Sequence, residues 1–516
     1  MAYQECLGCP LQGRPQLKPS LLRDSDILFV FGDPDEDACL EGKIYTERTE
    51  AFLEEYLSQL DKNLALSFTS VLKCYPPSGL KPGIKARALC RDILMAEVKL
   101  TSPKLIVAFG KSAVSALTEE TAIKKLNGRI LWETPTGVPT AICISPVYVF
   151  HTGDKDLFQA GFLPVASFFE PEPQIDMELV NELIPNPDCP YAVDIETKWV
   201  MEKKDRPARP HEGVAVSMGV SNIEETAFTH NVFQKDFLEQ TPLIVHSAQH
   251  EHGWFLSKGI NANIIHDTKL LAYLLDQRLS LRLEALCLKF GIDKSYKTDV
   301  TQLEGEDLDG RGARDAYNTA KLAEVIYPQL SEDEAKVYHD VLVPAMKAVA
   351  RIELEGIRID LPKKREVAVR IEADIKALDL ANDEYLIKFN ANSDKPFNIK
   401  SPVHKKLLVY DILGYTPPNM RIAKTDSGGF STGKDVLTYL LSQRHTPTLE
   451  KLIKYSEYAG CRSNFLEALD QHIITRGDVS KVYTSLWIGD TSTGRIKSNK
   501  PNMQNSPKTY ARQIFI

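Results

Sequence analysis

Two groups of side chains in this 516-residue chain have the types and spacing for chemistry. In the apolar run YAVDIETKW, Asp194 and Glu196 stand two residues apart. On a strand that spacing sends both carboxylates to one side and Ile195 to the other. Acids held so close repel unless something positive lies between them, and a pair of divalent metal ions is the economical answer. The second group is sulfur. Cys6-x2-Cys9 opens the chain, and Cys74 and Cys90 come later, 16 positions apart. A C-x-x-C turn brings two thiolates to one metal, and two more from later segments complete four ligands, suited to an iron–sulfur cluster or to zinc. Cys39 and Cys143 read instead as small core fillers.

Both groups need rigid elements around them. DILFVFG (Asp26–Gly32) and PKLIVAFG (Pro103–Gly110) read as buried strands, the second leading into the helix-like KSAVSALTEE. Strands alternating with helices predict a parallel α/β sheet with its ligands at the carboxyl ends of the strands. FFEPEPQ (Phe168–Gln174) is Pro-rich and acidic and reads as a linker. A second α/β unit comes next, with strands in YAVDIET, GVAVSMGVS, ETAFTHNV and PLIVHS and amphipathic helices in DTKLLAYLLD and RDAYNTAKLAEVI. From about Ser331 the pattern is helical and charged, in two long periodic segments with no strand between them. The expected domains are therefore residues 1–168, 169–335 and 336–516.

The length is too great for one core and fits about three units. Apolar residues at 43% and charged residues at 26% are ordinary for a globular chain. No apolar run approaches the roughly 18 residues a membrane span needs. The start lacks a basic region and an apolar stretch, so no signal peptide is expected, which predicts a cytoplasmic protein without disulfides or a membrane partner. Net charge is -8, but it is unevenly spread. From Lys336 onward there are 28 Lys and Arg against 20 Asp and Glu, so +8, leaving -16 on the residues before it. A basic third on an acidic body is the asymmetry expected if one part grips phosphates.

CLGCPL, GDPDEDACLEGKIYT, FTSVLKCYPP, ALCRDIL and KLIVAFGKSA together resemble the iron–sulfur uracil-DNA glycosylases of family 4, in order and in cysteine spacing, across nearly the whole first domain. The resemblance implies a [4Fe–4S] cluster on Cys6, Cys9, Cys74 and Cys90, with zinc as the alternative. The catalytic positions depart from the family. Ser70 stands where an Asn reads the uracil edge, and Ser145 where a His before Pro polarises the uracil carbonyl. Asp33 alone matches the water-positioning acid, and Tyr45 the stacking ring. Loss of both hydrogen-bonding groups implies lost excision and a scaffold or DNA-holding role.

DIET at the end of an apolar strand resembles the first motif of DEDD-type 3′→5′ exonucleases of ribonuclease H-like fold. IVHSAQHEHGWF then supplies His246, Ser247 and His250, with Glu251 at the motif's Asp position. GRGARDAYNTAKL supplies Asp315, with Arg311 where that family has Tyr. The resemblance implies that Asp194 bridges two Mg²⁺ or Mn²⁺ ions, that Glu196 and Asp315 complete one site, and that Glu251 serves the other. The substrate it implies is a single-stranded 3′ end.

LVPAMKAVARIELEGIRID, FNIKSPVHKKLLVYDILGY and KTDSGGFSTGKDVLTYLL are similar to the thumb of family A (polymerase I-like) DNA polymerases. There Lys and Ser/Thr at helix starts hold duplex phosphates, which points here to Ser401, Lys405, Lys424, Thr425, Ser431, Thr432 and Lys434. TGRIKSNKPNMQN closely resembles the signature that opens the polymerase palm, implying minor-groove contacts from Arg495, Asn502, Gln504 and Asn505 near a primer end. Arg512 lies in TYARQIFI, which reads as a strand running on towards palm carboxylates. With the motifs that normally come next not among these residues, the resemblance suggests an N-terminal part of a replicative polymerase of bacteriophage type. Palm and fingers would then lie on a second polypeptide. The alternatives are a stand-alone 3′→5′ exonuclease and a non-catalytic DNA-binding scaffold. The fold class expected is α/β multidomain: a glycosylase-like parallel α/β domain, a ribonuclease H-like domain, and a helical thumb with the start of the palm.

Overall fold

The computed structural model describes residues 8–76, 84–118, 120–169, 175–200, 208–292, 305–393, 395–418, 430–491, 493–506 and 510–516. It divides into two compact units, Met1–Lys347 and Ala348–Ile516.

The first unit contains two sheets. The N-terminal one has five strands: β1 (Ile27–Phe31), β2 (Leu66–Ser70), β3 (Leu105–Phe109), β4 (Ile130–Leu131) and β5 (Thr140–Cys143), in the order β2-β1-β3-β5-β4. All neighbours are parallel except β4 with β5. Its central strands β1 and β3 are apolar throughout because both faces are covered. Leu28, Val30, Ile106 and Ile142 face one way, onto Leu94 and Val98 of helix α1 (Ile84–Thr101) and Val114 of helix α2 (Gly110–Thr118). Phe29, Val107, Phe109 and Cys143 face the other, onto Phe158 and Phe162 of helix α3 (Lys155–Ser167).

The second sheet has six strands: β6 (Glu178–Leu179), β7 (Tyr191–Trp199), β8 (Gly213–Ser221), β9 (Thr226–Thr229), β10 (Leu243–Val245) and β11 (Ile264–Asp267), ordered β11-β10-β7-β8-β9-β6. β7 pairs antiparallel with β8 and parallel with β10, so it lies inside the sheet with Asp194 opposite Gly219. The helices of this region include α4 (Gln249–Ser257), α5 (Thr268–Leu275), α6 (Leu283–Phe290) and α7 (Glu306–Ile326). Helix α7 packs on β7 and β8 through a small-residue face that includes the fully buried Ala313 and Ala316.

The second unit is mainly helical, with two cores. One gathers Val367 and Ile371 of helix α8 (Leu361–Ala377) with Cys461, Leu469, Tyr510 and Ile514. The other joins Val436, Leu437 and Leu440 of helix α9 (Lys434–Gln443) to Leu449 and Leu452 of helix α10 (Pro447–Cys461). Two elements differ from the sequence expectation. The two helical segments are separated by a strand, β12 (Ile357–Arg358), entered through the positive φ of Gly356. β12 pairs with β14 (Val479–Val482), which pairs in turn with β13 (Ile473–Arg476). The chain end is not a strand either. Ala511–Ile514 forms a 3₁₀ turn that lets Tyr510 and Ile514 enter one core, and only Phe515 bridges to Ile359. A hairpin of β15 (Ser485–Trp487) and β16 (Lys497–Asn499) completes the unit.

Candidate metal centre and nucleic-acid interface

Strand alternation on β7 turns Asp194 and Glu196 to the α7 side, where Asp315 meets them. The three carboxylates each offer an oxygen, all within 4.8 Å of one another. What allows the approach is a pair of glycines. A Cβ on Gly219 would lie 2.1 Å from the carbonyl oxygen of Gly312, and one on Gly312 would lie 3.1 Å from Cγ of Glu196. Helix and sheet therefore touch backbone to backbone one turn before Asp315.

Glu251 lies on α4, 3% exposed, outside that triad. Its Oε2 is buried with no hydrogen-bond partner. Burial, then the charges of Asp315, Glu196 and Glu251, hold the Asp194 carboxyl well above the usual carboxylate range. Burial and Asp315 push Glu196 up to about 7, and burial raises Glu251 strongly. A half-buried set of carboxylate oxygens of this kind suits hard divalent cations. Glu251 Oε2, with nothing to bind among the described residues, fits the same reading.

Residues outside the motifs hold this arrangement. Asp267 ends β11, caps α5, and accepts N–H bonds from Lys269 (2.9 Å), Ala248 (2.9 Å) and Ser247 (3.1 Å). It thereby clamps the turn that leads into α4 and Glu251. Ser247 sits at φ 73°, a left-handed conformation that Asn tolerates better than Ser. His246 bonds Thr268 Oγ1 (2.8 Å) and the Leu281 carbonyl (3.1 Å), and burial holds its pKa down at about 3, so it is a neutral structural ring. The His-Asp-Thr before LLAYLL is a cap signature that could have revealed Asp267 in advance. Nothing in the sequence signals the Gly219–Gly312 contact.

Around the N-terminal sheet, Cys9, Cys74 and Cys90 lie together in one buried cluster with Leu11, Leu72 and Ala86. Cys6 lies outside the described residues. Beside them, buried Lys73 bonds Glu97 of α1 at 2.5 Å and Thr69 at 2.7 Å, fixing the end of β2 to the helix that carries Cys90. All three of these cysteines are buried. The glycosylase-type positions are differently occupied. The Ser70 hydroxyl donates to the Leu72 carbonyl, Ser145 caps a helix by accepting from Tyr148 N (3.2 Å), and Asp33 pairs with Arg87 at 2.9 Å. Tyr45 packs on Phe31 and Phe68. Cys39 and Cys143 are buried, the latter donating to the Gly161 carbonyl at 2.9 Å.

In the second unit the β15–β16 hairpin presents the TGR…PNMQN stretch. Thr484 Oγ1 meets Ser498 Oγ (2.8 Å) and the Pro501 carbonyl (2.7 Å), and Ser498 Oγ accepts from Met503 N (2.9 Å). Asn502 Oδ1 accepts from the backbone N–H of Gln504 (3.1 Å) and Asn505 (3.2 Å). Arg495, Asn502, Gln504 and Asn505 are all exposed, as is Arg512. Lys405 lies half-buried in the short helix capped by Ser401, Thr432 is buried, and Lys434 pairs with Glu457 at 2.8 Å. Lys424 and Thr425 lie outside the described residues. Among the described residues no helix is long and apolar enough to cross a membrane.

Comparison with known proteins bears on both ends of the chain. Residues 371–516 match the model of DNA polymerase family A, and residues 19–160 that of the uracil DNA glycosylase superfamily. DNA polymerase I of Synechocystis sp. is 25% identical over 327 residues, 60% of this chain and 31% of its own length. The thermostable DNA polymerase I of Thermus filiformis is 26% identical over 252 residues, 49% of this chain and 27% of its own. The chain thus spans less than a third of either relative. A solved structure, the POL domain of Pol1 from M. smegmatis in complex with DNA primer-template and dNTP, aligns over 63% of this chain and 55% of its own at 18% identity, with a TM-score of 0.49. The chain is family A polymerase-like, with a glycosylase-superfamily-like domain.

Proposed function

We propose that this chain is the proofreading and primer-gripping part of a family A replicative DNA polymerase of bacteriophage type. In this reading residues 169–335 are a 3′→5′ exonuclease of ribonuclease H-like fold and residues 336–516 a thumb with the first palm segment. The carrying observation is the half-buried triad Asp194, Glu196 and Asp315, with oxygens within 4.8 Å of one another. Those three residues, with Glu251, would hold two Mg²⁺ or Mn²⁺ ions. Such ions supply an activated water and charge stabilisation at a phosphodiester. The chain's own part is positional: β7 and α7 fix the carboxylates, and burial keeps bulk water from screening them. Shortening of a single-stranded 3′ end that needs Mg²⁺ or Mn²⁺ and disappears in Asp194→Ala is the test. Shortening that persists in the variant would defeat the reading.

The N-terminal domain acts in this proposal as a scaffold around a [4Fe–4S] cluster on Cys6, Cys9, Cys74 and Cys90, without uracil excision. The engagement of Ser70, Ser145 and Asp33 in structural bonds supports it. Excision of uracil from an oligonucleotide by the purified chain would refute it. Nucleotidyl transfer in this reading needs palm and fingers segments and is not assigned to these residues.

A further inference from the structure

Position 311 is where the exonuclease resemblance calls for a tyrosine and the chain has an arginine. Arg311 stands one turn before Asp315 on α7, its Nε 3.6 Å from Asp315 Oδ2. Both side chains are largely buried, 18% and 13% exposed. The guanidinium therefore shares the desolvated space in which the three carboxylates converge, and its charge partly offsets the burial that raises Asp194 and Glu196. From α6, half-buried Glu284 feels the same guanidinium together with that of Arg282. Arg282 is itself fastened to the carbonyls of Asn127 (3.2 Å) and Gly128 (2.8 Å).

We propose that Arg311 is a resident cation of the carboxylate centre. It holds Asp315 when no metal is bound, opposes divalent cations entering beside Asp315, and adds positive charge for the phosphate of an incoming 3′ end. This rests on the reading of the site as a metal-dependent exonuclease. Charge counting supports it. Four carboxylates balance two divalent ions, so within that set a neutral side chain at position 311 would leave a balance of zero, whereas Arg311 adds one positive charge. A guanidinium cannot deprotonate here, so its role is electrostatic and not acid–base. Its planar fork matches phosphate oxygens as well as it matches a carboxylate. Arg311 is thus a positioning and charge-setting residue whose natural exchange is from Asp315 to phosphate.

Mn²⁺ binding to the full chain, measured by calorimetry without DNA, reads this directly. Arg311→Ala, and Arg311→Gln as the bulkier control for folding, should bind Mn²⁺ at least about tenfold more tightly than the parent, while Arg311→Lys stays near it. Binding of a single-stranded oligonucleotide in Ca²⁺ should weaken in the Ala and Gln variants and lose about one charge of salt dependence. Unchanged or weaker Mn²⁺ binding in folded Ala and Gln variants overturns the proposal. Asp194→Ala separates the two levels. If it retains full Mn²⁺ affinity, the metal centre itself is wrongly assigned. If it abolishes binding while Arg311→Gln changes nothing, only the role given to Arg311 falls.

Discussion

A methyl group added to Gly219 would lie 2.1 Å from the carbonyl oxygen of Gly312, so β8 and α7 meet with no side chain between them. This contact sets the distance at which Asp315 reaches Asp194 and Glu196. Gly219→Ala should push α7 off the sheet and cost about 1–3 kcal/mol in a urea melt. Because metal ligands tolerate little displacement, Mn²⁺ binding and single-strand shortening should fall by about tenfold to a hundredfold. A variant that melts lower but shortens DNA normally would show that the glycine pair serves packing and not the site.

How much of this could be read beforehand depends on the range of the interaction. Asp194 and Glu196 are neighbours on one strand, and alternation alone puts them on one face. Asp315 lies far along the chain, and only resemblance to a family brought it to them. The Asp267 cap of α5 is a local signal, but the Gly219–Gly312 contact and the hold of Asp267 on Ser247 and Ala248 depend on which surfaces meet, which no local pattern encodes. β12 was missed for the same reason. Two residues, Ile357 and Arg358, become a strand solely because Val482 and Lys481 lie beside them. The final segment has the β-rich composition of a strand. It coils because Tyr510 and Ile514, four apart, both find space in one core, a tertiary preference that overrides propensity.

His266 lies among Tyr327, Tyr338 and His339, ring centroids 4.5, 5.9 and 5.9 Å away. Burial, then His339, lowers its pKa to about 4, and burial lowers that of His246 to about 3. A histidine depressed in the folded state binds its proton first in the unfolded chain, so both contribute stability that is lost as pH falls from about 6.5 towards 4. The raised carboxyls of Asp194 and Glu251 act in the opposite direction. The histidine contribution is therefore read as a difference: His266→Gln should flatten the acid side of the melting-temperature curve between pH 7 and 5 relative to the parent. Parallel curves would mean that folding does not depress the His266 pKa.

Three described cysteines of the N-terminal domain share a buried cluster. On the proposed four-cysteine centre, Cys74→Ser and Cys90→Ser should lose bound metal and lower the melting temperature, whereas Cys39→Ser, outside that cluster, should keep the metal. Metal analysis and visible absorbance of the anaerobically purified chain separate iron–sulfur from zinc, since only the former absorbs visible light. Full metal retention in Cys90→Ser would remove it from the ligand set.

The exposed strip on the β15–β16 hairpin separates three kinds of contribution that are usually lumped together. Arg495 carries charge, so Arg495→Ala should weaken primer–template binding by about tenfold and reduce the slope of log affinity against log salt by about one. Gln504 is neutral and would meet minor-groove acceptors, so Gln504→Ala should weaken binding without changing that slope. Asn502 acts differently, because its Oδ1 holds the N–H groups of Gln504 and Asn505 at 3.1 and 3.2 Å. Asn502→Ala should loosen the turn and weaken binding, and Asn502→Asp, which keeps the acceptor, should restore the turn while placing a negative charge near phosphate. Recovery of thermal stability but not of affinity in Asn502→Asp is therefore the expected signature. If Arg495→Ala leaves both affinity and salt slope unchanged, this strip does not face DNA.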